Sequence, residues 1–258
     1  MRWSKAILAT SLSAMVLVLP AAGCRAAPAA PFRLYLMTEL SPPTSMLEGK
    51  QIIGSGTEKV ADIMARTGTA YSMDLLPWKR AYMQLQQRPD ACLFSTTRTP
   101  EREALFQWVG PTDEGDWVLL GRAGRNYNLH SLEDARNLRI GTYNGDARDS
   151  YLRERGFLVD PAPNDVINAD KLLMDRIDLW AGSLKRGNAV LRRAGWADKI
   201  VPVLVFNKIR VYLACNRNVP VALIERMNAA VEAMQRDGTM RRIDLKYEKW
   251  IDAVQAKP

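Results

Sequence analysis

The chain has 258 residues, 47% of them hydrophobic, and a formal net charge of +8 at pH 7. This length is sufficient for one large domain or for two lobes. Basic residues are scattered among acids, as in KLLMDRIDLW (171–180), which excludes the basic stripe with interleaved aromatic residues that is typical of nucleic-acid binding. With three cysteines, one histidine and no CxxC motif, we expect neither a metal site nor a cofactor.

The N-terminus has the features of a secretory signal peptide. Arg2 and Lys5 precede an apolar stretch at 6–19 that is too short for a stable membrane span. We therefore interpret residues 1–30 as signal peptide and linker and predict a periplasmic protein. Two cleavage sites stay open, because Cys24 could become a lipidated first residue or cleavage could follow a few residues later.

Short apolar runs alternate with helical patterns along the remaining chain, which is typical of an α/β fold. Strands are predicted at residues 32–38, 70–76, 90–96, 117–122, 138–142, 176–182, 200–206 and 209–215. Helices are predicted at residues 57–68, 78–87, 147–156, 168–175, 183–196, 219–238 and 239–252. Thr57 is the predicted N-cap of the first helix, and Ser131 is predicted to open a short helix with a capping box.

The end of the third strand carries residue types that suit an anion. Thr-Pro at 99–100 is typical of a helix start, so Ser95, Thr97 and Arg98 fall between a strand and a helix. Arg102 follows one turn later. Hydroxyl, backbone N–H and guanidinium donors together can bind a carboxylate or a phosphate. Alternatively, both arginines pair with neighbouring glutamates on the surface, which would stabilise the fold little.

Several motifs, in their order along the chain, resemble family 3 of the periplasmic solute-binding proteins. The segment DACLFSTTRTPEREALFQWVGP (90–111) is similar to the family segment with Asp-Ala, Ser/Thr, Arg and Pro at these spacings. SLEDARNLRIGTYNGD (131–146) looks like the start of the second lobe in that family, and KLLMDRIDLW looks like a later strand entry. The resemblance extends over residues 32–250.

The resemblance implies a two-lobed α/β fold of the type II periplasmic-binding-protein class, with two hinge crossovers and the ligand in the cleft between the lobes. Lobe 1 would comprise residues 31–122 and 208–258, and lobe 2 would comprise residues 123–207. The implied function is that of a monomeric, non-catalytic component that delivers a small polar solute to an ABC permease in the inner membrane.

The resemblance also implies roles for individual residues. Arg102 falls on the carboxylate-binding arginine of the family, and Ser95 and Thr97 fall on its ligand-facing hydroxyls. Glu39 follows the first strand, and Trp78 falls on a position that often forms an apolar wall. The complete expected ligand-binding set is Glu39, Trp78, Ser95, Thr97, Arg98, Arg102, Tyr143, Asp146 and Ser183.

Two of these positions depart from the family. Asp146 falls on a frequent threonine, and Ser183 falls on the aspartate with which amino-acid binders hold the α-ammonium. Because a buried ammonium needs a carboxylate partner, we expect a carboxylate-bearing solute without a strict need for an α-amino group. Glu39 or Asp146 could nevertheless replace the missing aspartate.

Two other functions stay open. The same fold hosts a few periplasmic enzymes, including dehydratases, for which Glu39 and Asp146 are the acid/base candidates. A freestanding ligand sensor would share every feature above. Export also permits a disulfide between Cys92 and Cys215, but we favour two buried free thiols, since both lie in apolar strands.

Overall fold

The structure is a computed structural model that describes residues 32–183, 191 and 195–255. The predicted signal peptide and linker, the candidate lipidation site Cys24 and most of the helix predicted at 183–196 lie outside these residues. In the ranges given, no helix is long and apolar enough to cross a membrane.

The predicted α/β fold is confirmed. The strands of the described chain are β1 (Arg33–Thr38), β2 (Met46–Glu48), β3 (Gln51–Ile53), β4 (Ala70–Leu75), β5 (Ala91–Thr97), β6 (Gln107–Arg122), β7 (Ile140–Tyr143), β8 (Val159–Ala162), β9 (Leu179–Ser183) and β10 (Ile200–Cys215). The helices are α1 (Ser55–Thr67), α2 (Trp78–Gln87), α3 (Pro100–Glu103), α4 (Ala147–Glu154), α5 (Ile167–Leu173), α6 (Val221–Arg236) and α7 (Thr239–Gln255), with a 3-10 helix at Leu132–Ala135. Strands β2, β3 and β8 are additional to the prediction.

In the described chain, eight strands form one sheet in the order β4-β1-β5-β10-β6-β9-β7-β8. The outer strands at each end pair in parallel, as βαβ connections require. Strands β6 and β10 pair with each other antiparallel in the middle of the sheet. Because each has 16 residues, they are long enough to belong to both halves of the molecule.

Hydrophobic side chains form separate cores in the two halves of the sheet. In the first half, α1 packs Val60, Ile63 and Met64 against β1, β5 and α6, as their spacing on one helix face requires. In the second half, Val118 and Leu120 of β6 pack against α5 and β9. We therefore propose that β6 changes lobe before residue 117, earlier than the predicted boundary after 122.

Two details of the predicted elements are wrong. The first helix begins at Ser55 after Gly54, so Thr57 lies in its first turn and its hydroxyl donates to the Ile53 carbonyl at 3.3 Å. The two strands predicted around Asn207-Lys208 are one continuous strand, β10. Both residues pair with β6, and a register shift just before Asn207 accommodates them without a turn.

The expectation of two free thiols is also wrong, because Cys92 and Cys215 form a disulfide. Cys92 lies on β5 and Cys215 lies on β10, and the antiparallel register places them directly opposite each other. Both are fully buried in the first-lobe core. Their apolar surroundings suited either state, and only the strand register distinguishes a disulfide from two separate thiols.

Removing this disulfide is expected to lower the free energy of unfolding by about 2–5 kcal/mol, since it closes a long loop in the unfolded chain. The test is urea denaturation of the Cys92→Ala/Cys215→Ala variant beside the oxidised protein. Peptide mapping after alkylation without reductant gives a control, and should recover the two cysteines in one linked peptide pair. Alkylation of both cysteines under those conditions would contradict the disulfide.

Candidate ligand-binding site

A cavity lies between the two cores, beside the middle of β6 and β10. Seven of the residues expected at the ligand line it, namely Glu39, Trp78, Ser95, Thr97, Arg102, Asp146 and Ser183. The cavity is also lined by Thr44, Gly56, Lys59, Val60, Phe94, Thr112, Asp113, Glu114, Gly115, Trp117, Arg148, Ile209 and Val211. Lining residues therefore come from both halves of the sheet and from the two strands that connect them.

Arg102 is a buried cation on the first-lobe side of the cavity. Its side chain is only 7% exposed although it lies in a helix of four residues. The guanidinium carbon lies 5.0 Å from the ring centroid of Tyr82 and 5.5 Å from that of Trp78, both within cation–π range. Nη1 donates to the Thr97 carbonyl over 3.4 Å. No carboxylate in the described ranges lies within ion-pair distance of it.

Arg98, which the sequence analysis includes in the ligand-binding set, does not line this cavity. Its Nε donates to a Glu103 carboxylate oxygen at 2.7 Å, and its guanidinium lies over the rings of Trp108 and Tyr212. The surface ion pair considered as the alternative for both arginines therefore holds for Arg98. The helix that follows has only one turn, so its dipole contributes little to anion binding.

The first turn of α1 brings backbone close to the hydroxyl of Ser95. A Cβ on Gly56 would lie 3.2 Å from Ser95 Oγ and 2.7 Å from a methyl carbon of Thr44. Ser95 itself has a positive φ of 59°, which is uncommon outside glycine. Gly56 in the first turn of α1 and Thr44 in the loop before it therefore pack closely beside the Ser95 hydroxyl.

On the second-lobe side, the cavity is lined by a buried ion-pair cluster at the start of α4. Asp146 is the N-cap, and its Oδ1 accepts from the backbone N–H of Arg148 at 2.9 Å and from its Nε at 2.6 Å. Arg148 is 3% exposed and also donates to Asp165 at 3.2 Å and to the Ala181 carbonyl at 3.2 Å. Burial alone would raise the pKa of Asp146, but the Arg148 charge outweighs it and holds that pKa below its usual range.

Two contacts join the lobes at the edge of the cavity. The indole Nε1–H of Trp78 donates to the Gly145 carbonyl at 2.9 Å. Tyr143 does not line the cavity as expected, because its ring packs against the first-lobe cluster that contains Trp78. Burial and, after it, the negative charge of Glu39 raise the pKa of Tyr143 to about 12. The lobes therefore touch in this structure.

Sequence reasoning missed Lys59 and Arg148. Lys59 is 2% exposed, its Nζ donates to the Thr112 carbonyl at 2.9 Å, and it pairs with Asp244 at 2.7 Å. Lys59 lies one residue before Val60 of the apolar face of α1, and Arg148 lies in the first turn of the helix predicted at 147–156. These positions were the signals in the sequence from which the burial of Lys59 and Arg148 could have been predicted. In the ranges described, no group of three or more His, Cys, Asp or Glu residues could hold a metal ion.

The family model of the bacterial extracellular solute-binding proteins, family 3, matches residues 34–253. The chain belongs to this family. The fold of this solute-binding protein is similar to a histidine kinase sensor domain with similarity to periplasmic binding proteins, at 17% identity and a TM-score of 0.77, covering 84% of this chain and 96% of that one.

Two further structures resemble this solute-binding protein. One is the arginine-, lysine-, histidine-binding protein ArtJ from Geobacillus stearothermophilus, with 17% identity and a TM-score of 0.72 over 83% of this chain and 94% of that one. The other is a ligand-binding core from Nostoc punctiforme in complex with L-glutamate, with 18% identity and a TM-score of 0.72 over 85% and 99%. These relatives are binding proteins. Among curated proteins, no sequence matches.

Replacing Trp78 by Phe tests the contact between the lobes of this solute-binding protein. The change removes the donor to Gly145 but retains an aromatic face beside Arg102. Because a hydrogen bond contributes about 0.5–1.5 kcal/mol, the ratio of closed to open molecules should fall about threefold to tenfold. Spin-label distances between the lobes, measured without ligand, report this ratio.

Trp108→Phe is the matched control, since its indole donates to the Glu103 carbonyl at 3.2 Å within the first lobe. Equal distance distributions for the two variants would contradict a role of Trp78 in closure.

Proposed function

We propose that this protein is the periplasmic substrate-binding component of an ABC importer. It binds a small polar solute that carries a carboxylate, an amino acid or a related organic acid, by closure of the two lobes. It acts without catalysis or a cofactor, as a monomer that is free in the periplasm or anchored through Cys24. An ABC permease of the inner membrane is its proposed partner.

The observation that carries this proposal is the environment of Arg102. An arginine that is only 7% exposed normally has a carboxylate or phosphate partner, because burial removes hydration from its charge. The Arg102 guanidinium instead contacts two aromatic rings and one backbone carbonyl, and Arg102 lines the cavity. Its planar fork can donate to both oxygens of a ligand carboxylate. Ser95 and Thr97 line the same cavity and can add hydroxyl donors.

We expect lobe closure because residues of both lobes line the cavity. A ligand bound to Arg102 on the first lobe would also contact Asp146, Arg148 and Ser183 on the second lobe. Such a ligand favours the closed form by its differential affinity for the two states. An ABC permease could then distinguish loaded from empty protein by lobe arrangement.

An enzyme on this fold is the less favoured function. Acid/base catalysis needs a group with a free proton position near the substrate. Asp146 is held ionised by Arg148, and Glu39 has a partner of its own and raises the pKa of the neighbouring Tyr143. Both candidate acids therefore have structural partners.

A sensing role has one observation in its favour, the likeness in fold to a histidine kinase sensor domain. The two roles differ in the cell. A transport component is required for uptake of its labelled solute, whereas loss of a sensor leaves uptake intact once the transporter is expressed constitutively. We favour transport because the matched family is that of the extracellular solute-binding proteins.

Arg102→Ala is expected to abolish the thermal shift that ligand induces and to change the melting temperature of the empty protein little. Removing one side of a buried charged pair costs about 2–5 kcal/mol, which is a loss of about 30-fold to several thousand-fold in affinity. The measurement is a thermal-shift screen with the twenty L-amino acids and the corresponding organic acids.

Arg98→Ala is the matched control, since Arg98 lies outside the cavity and pairs with Glu103. It should retain the ligand-induced shift. An unchanged shift in Arg102→Ala, or loss of the shift only in Arg98→Ala, would overturn the proposed site.

A further inference from the structure

The first turns of α1 form part of the cavity wall on the first-lobe side. Gly56 and Lys59, both in these turns, line the cavity. A Cβ on Gly56 would lie 3.2 Å from the hydroxyl oxygen of Ser95, which lines the cavity as well. Even a small displacement of this backbone would therefore change the space around that hydroxyl. The contacts that hold the first turns of α1 in place thus bear on the binding site.

Tyr247 of α7 connects that helix to the first turn of α1 through its hydroxyl group. The hydroxyl oxygen accepts from the backbone N–H of Gly54, the N-cap of α1, at 3.0 Å. It also donates to a carboxylate oxygen of Glu58 at 2.6 Å. Tyr247 is 4% exposed and packs in the first-lobe core, so its hydroxyl is held in a fixed position. One side chain therefore contacts both ends of the turn from Gly54 to Glu58.

The backbone of this turn also packs closely against the loop before α1. The N–H of Ser55 donates to the Pro43 carbonyl at 3.1 Å, and the N–H of Gly56 donates to the Thr44 carbonyl at 3.0 Å. The acceptor for the Gly54 N–H, by contrast, comes from α7. Loss of that acceptor would leave a buried N–H group unsatisfied, which is costly, and would loosen the turn at its first residue.

A buried ion pair makes a second connection between α7 and α1. Lys59 is 2% exposed, and its Nζ lies 2.7 Å from Oδ1 of Asp244 on α7. The same ammonium donates to the carbonyl of Thr112 on β6 at 2.9 Å, and Thr112 lines the cavity. Helix α7 therefore holds α1 at two successive residues, Glu58 and Lys59, and the second of these is also bonded to the cavity wall.

We propose that Tyr247 is a positioning residue for ligand binding, because its hydroxyl holds the first turn of α1 where Gly56 and Lys59 line the cavity. Tyr247 and Asp244 are not among the described residues that line it, so α7 acts on the ligand through α1. A turn that is ordered before the ligand arrives lowers the cost of association. This inference rests on the proposed function and assigns a part in binding to a helix outside the cavity.

Hydrogen exchange of the empty protein tests the contact without a ligand. Tyr247→Phe keeps the ring in the core and removes only the hydroxyl. The backbone amides of residues 54–58 should then exchange about threefold to tenfold faster, as expected when one hydrogen bond is lost. Mass spectrometry of the peptides that cover these residues compares the rates with those of wild type.

Isothermal titration calorimetry tests the effect on binding. The probe is the amino acid or organic acid that gives wild type the largest shift in the thermal screen. Its Kd should rise about threefold to tenfold in Tyr247→Phe, at an unchanged stoichiometry that shows the protein to be folded. Asp244→Asn removes the charge of the second connection and should raise the Kd in the same direction. It replaces Tyr247→Phe if that variant does not fold.

Tyr35→Phe is the matched control. The Tyr35 hydroxyl also donates to a carboxylate at 2.6 Å, that of Asp74. Tyr35 lies on β1 in the same lobe, but it is not among the described residues that line the cavity. The control thus loses the same atom and the same kind of hydrogen bond. Its Kd and its exchange rates at residues 54–58 should equal those of wild type.

The outcomes separate a role in binding from a role in stability alone. A wild-type Kd in Tyr247→Phe, with a lower free energy of unfolding in urea, would show a purely structural role and overturn the inference. Unchanged exchange at residues 54–58 would overturn it as well. If no probe binds to wild type, the proposed function is overturned and the part of Tyr247 in binding with it, while the exchange rates still report whether its hydroxyl holds the turn.

Discussion

The two lobes and the cavity between them are all arranged around the antiparallel pairing of β6 with β10. Register partners extend from Gln107 with Cys215 to Arg122 with Ile200, so one continuous ladder belongs to both lobes. The first-lobe strands add on one side of it through β5, and the second-lobe strands add on the other side through β9. The cavity lies where the ladder passes from one core to the other. Its walls are therefore the hydrogen-bonded strands β6 and β10 on one side and residues of the two lobes on the other.

The elements that the sequence predicts well are those whose pattern is local. Helix α1 follows from the spacing of Val60, Ile63 and Met64, and β5 follows from a short apolar run between turn signals. The start of α1 and the continuity of β10 depend on partners far away in sequence. A segment with Asn-Lys resembles a turn until the opposite strand supplies its hydrogen bonds.

In the candidate site, too, some residues can be predicted from local sequence and others depend on distant partners. Arg98 and Arg102 are indistinguishable by residue type and lie four positions apart, yet one pairs with Glu103 and the other faces buried rings. The resemblance selected Arg102, and of these two arginines it is Arg102 that lines the cavity. Arg148 lies in ARDSYLRERG, a segment whose composition predicts an exposed polar helix. Its burial could not be predicted locally, because a buried charge needs partners, and one of them, Asp165, lies elsewhere in the sequence.

The disulfide between Cys92 and Cys215 has a topological consequence for the second lobe. The cysteines are 123 positions apart, and everything from β6 through the whole second lobe and back along β10 lies between them. The second lobe is thus an insertion within a covalent ring that closes in the first-lobe core. A single peptide-bond break anywhere in that insertion leaves one connected molecule, with both crossover strands still tethered at their first-lobe ends.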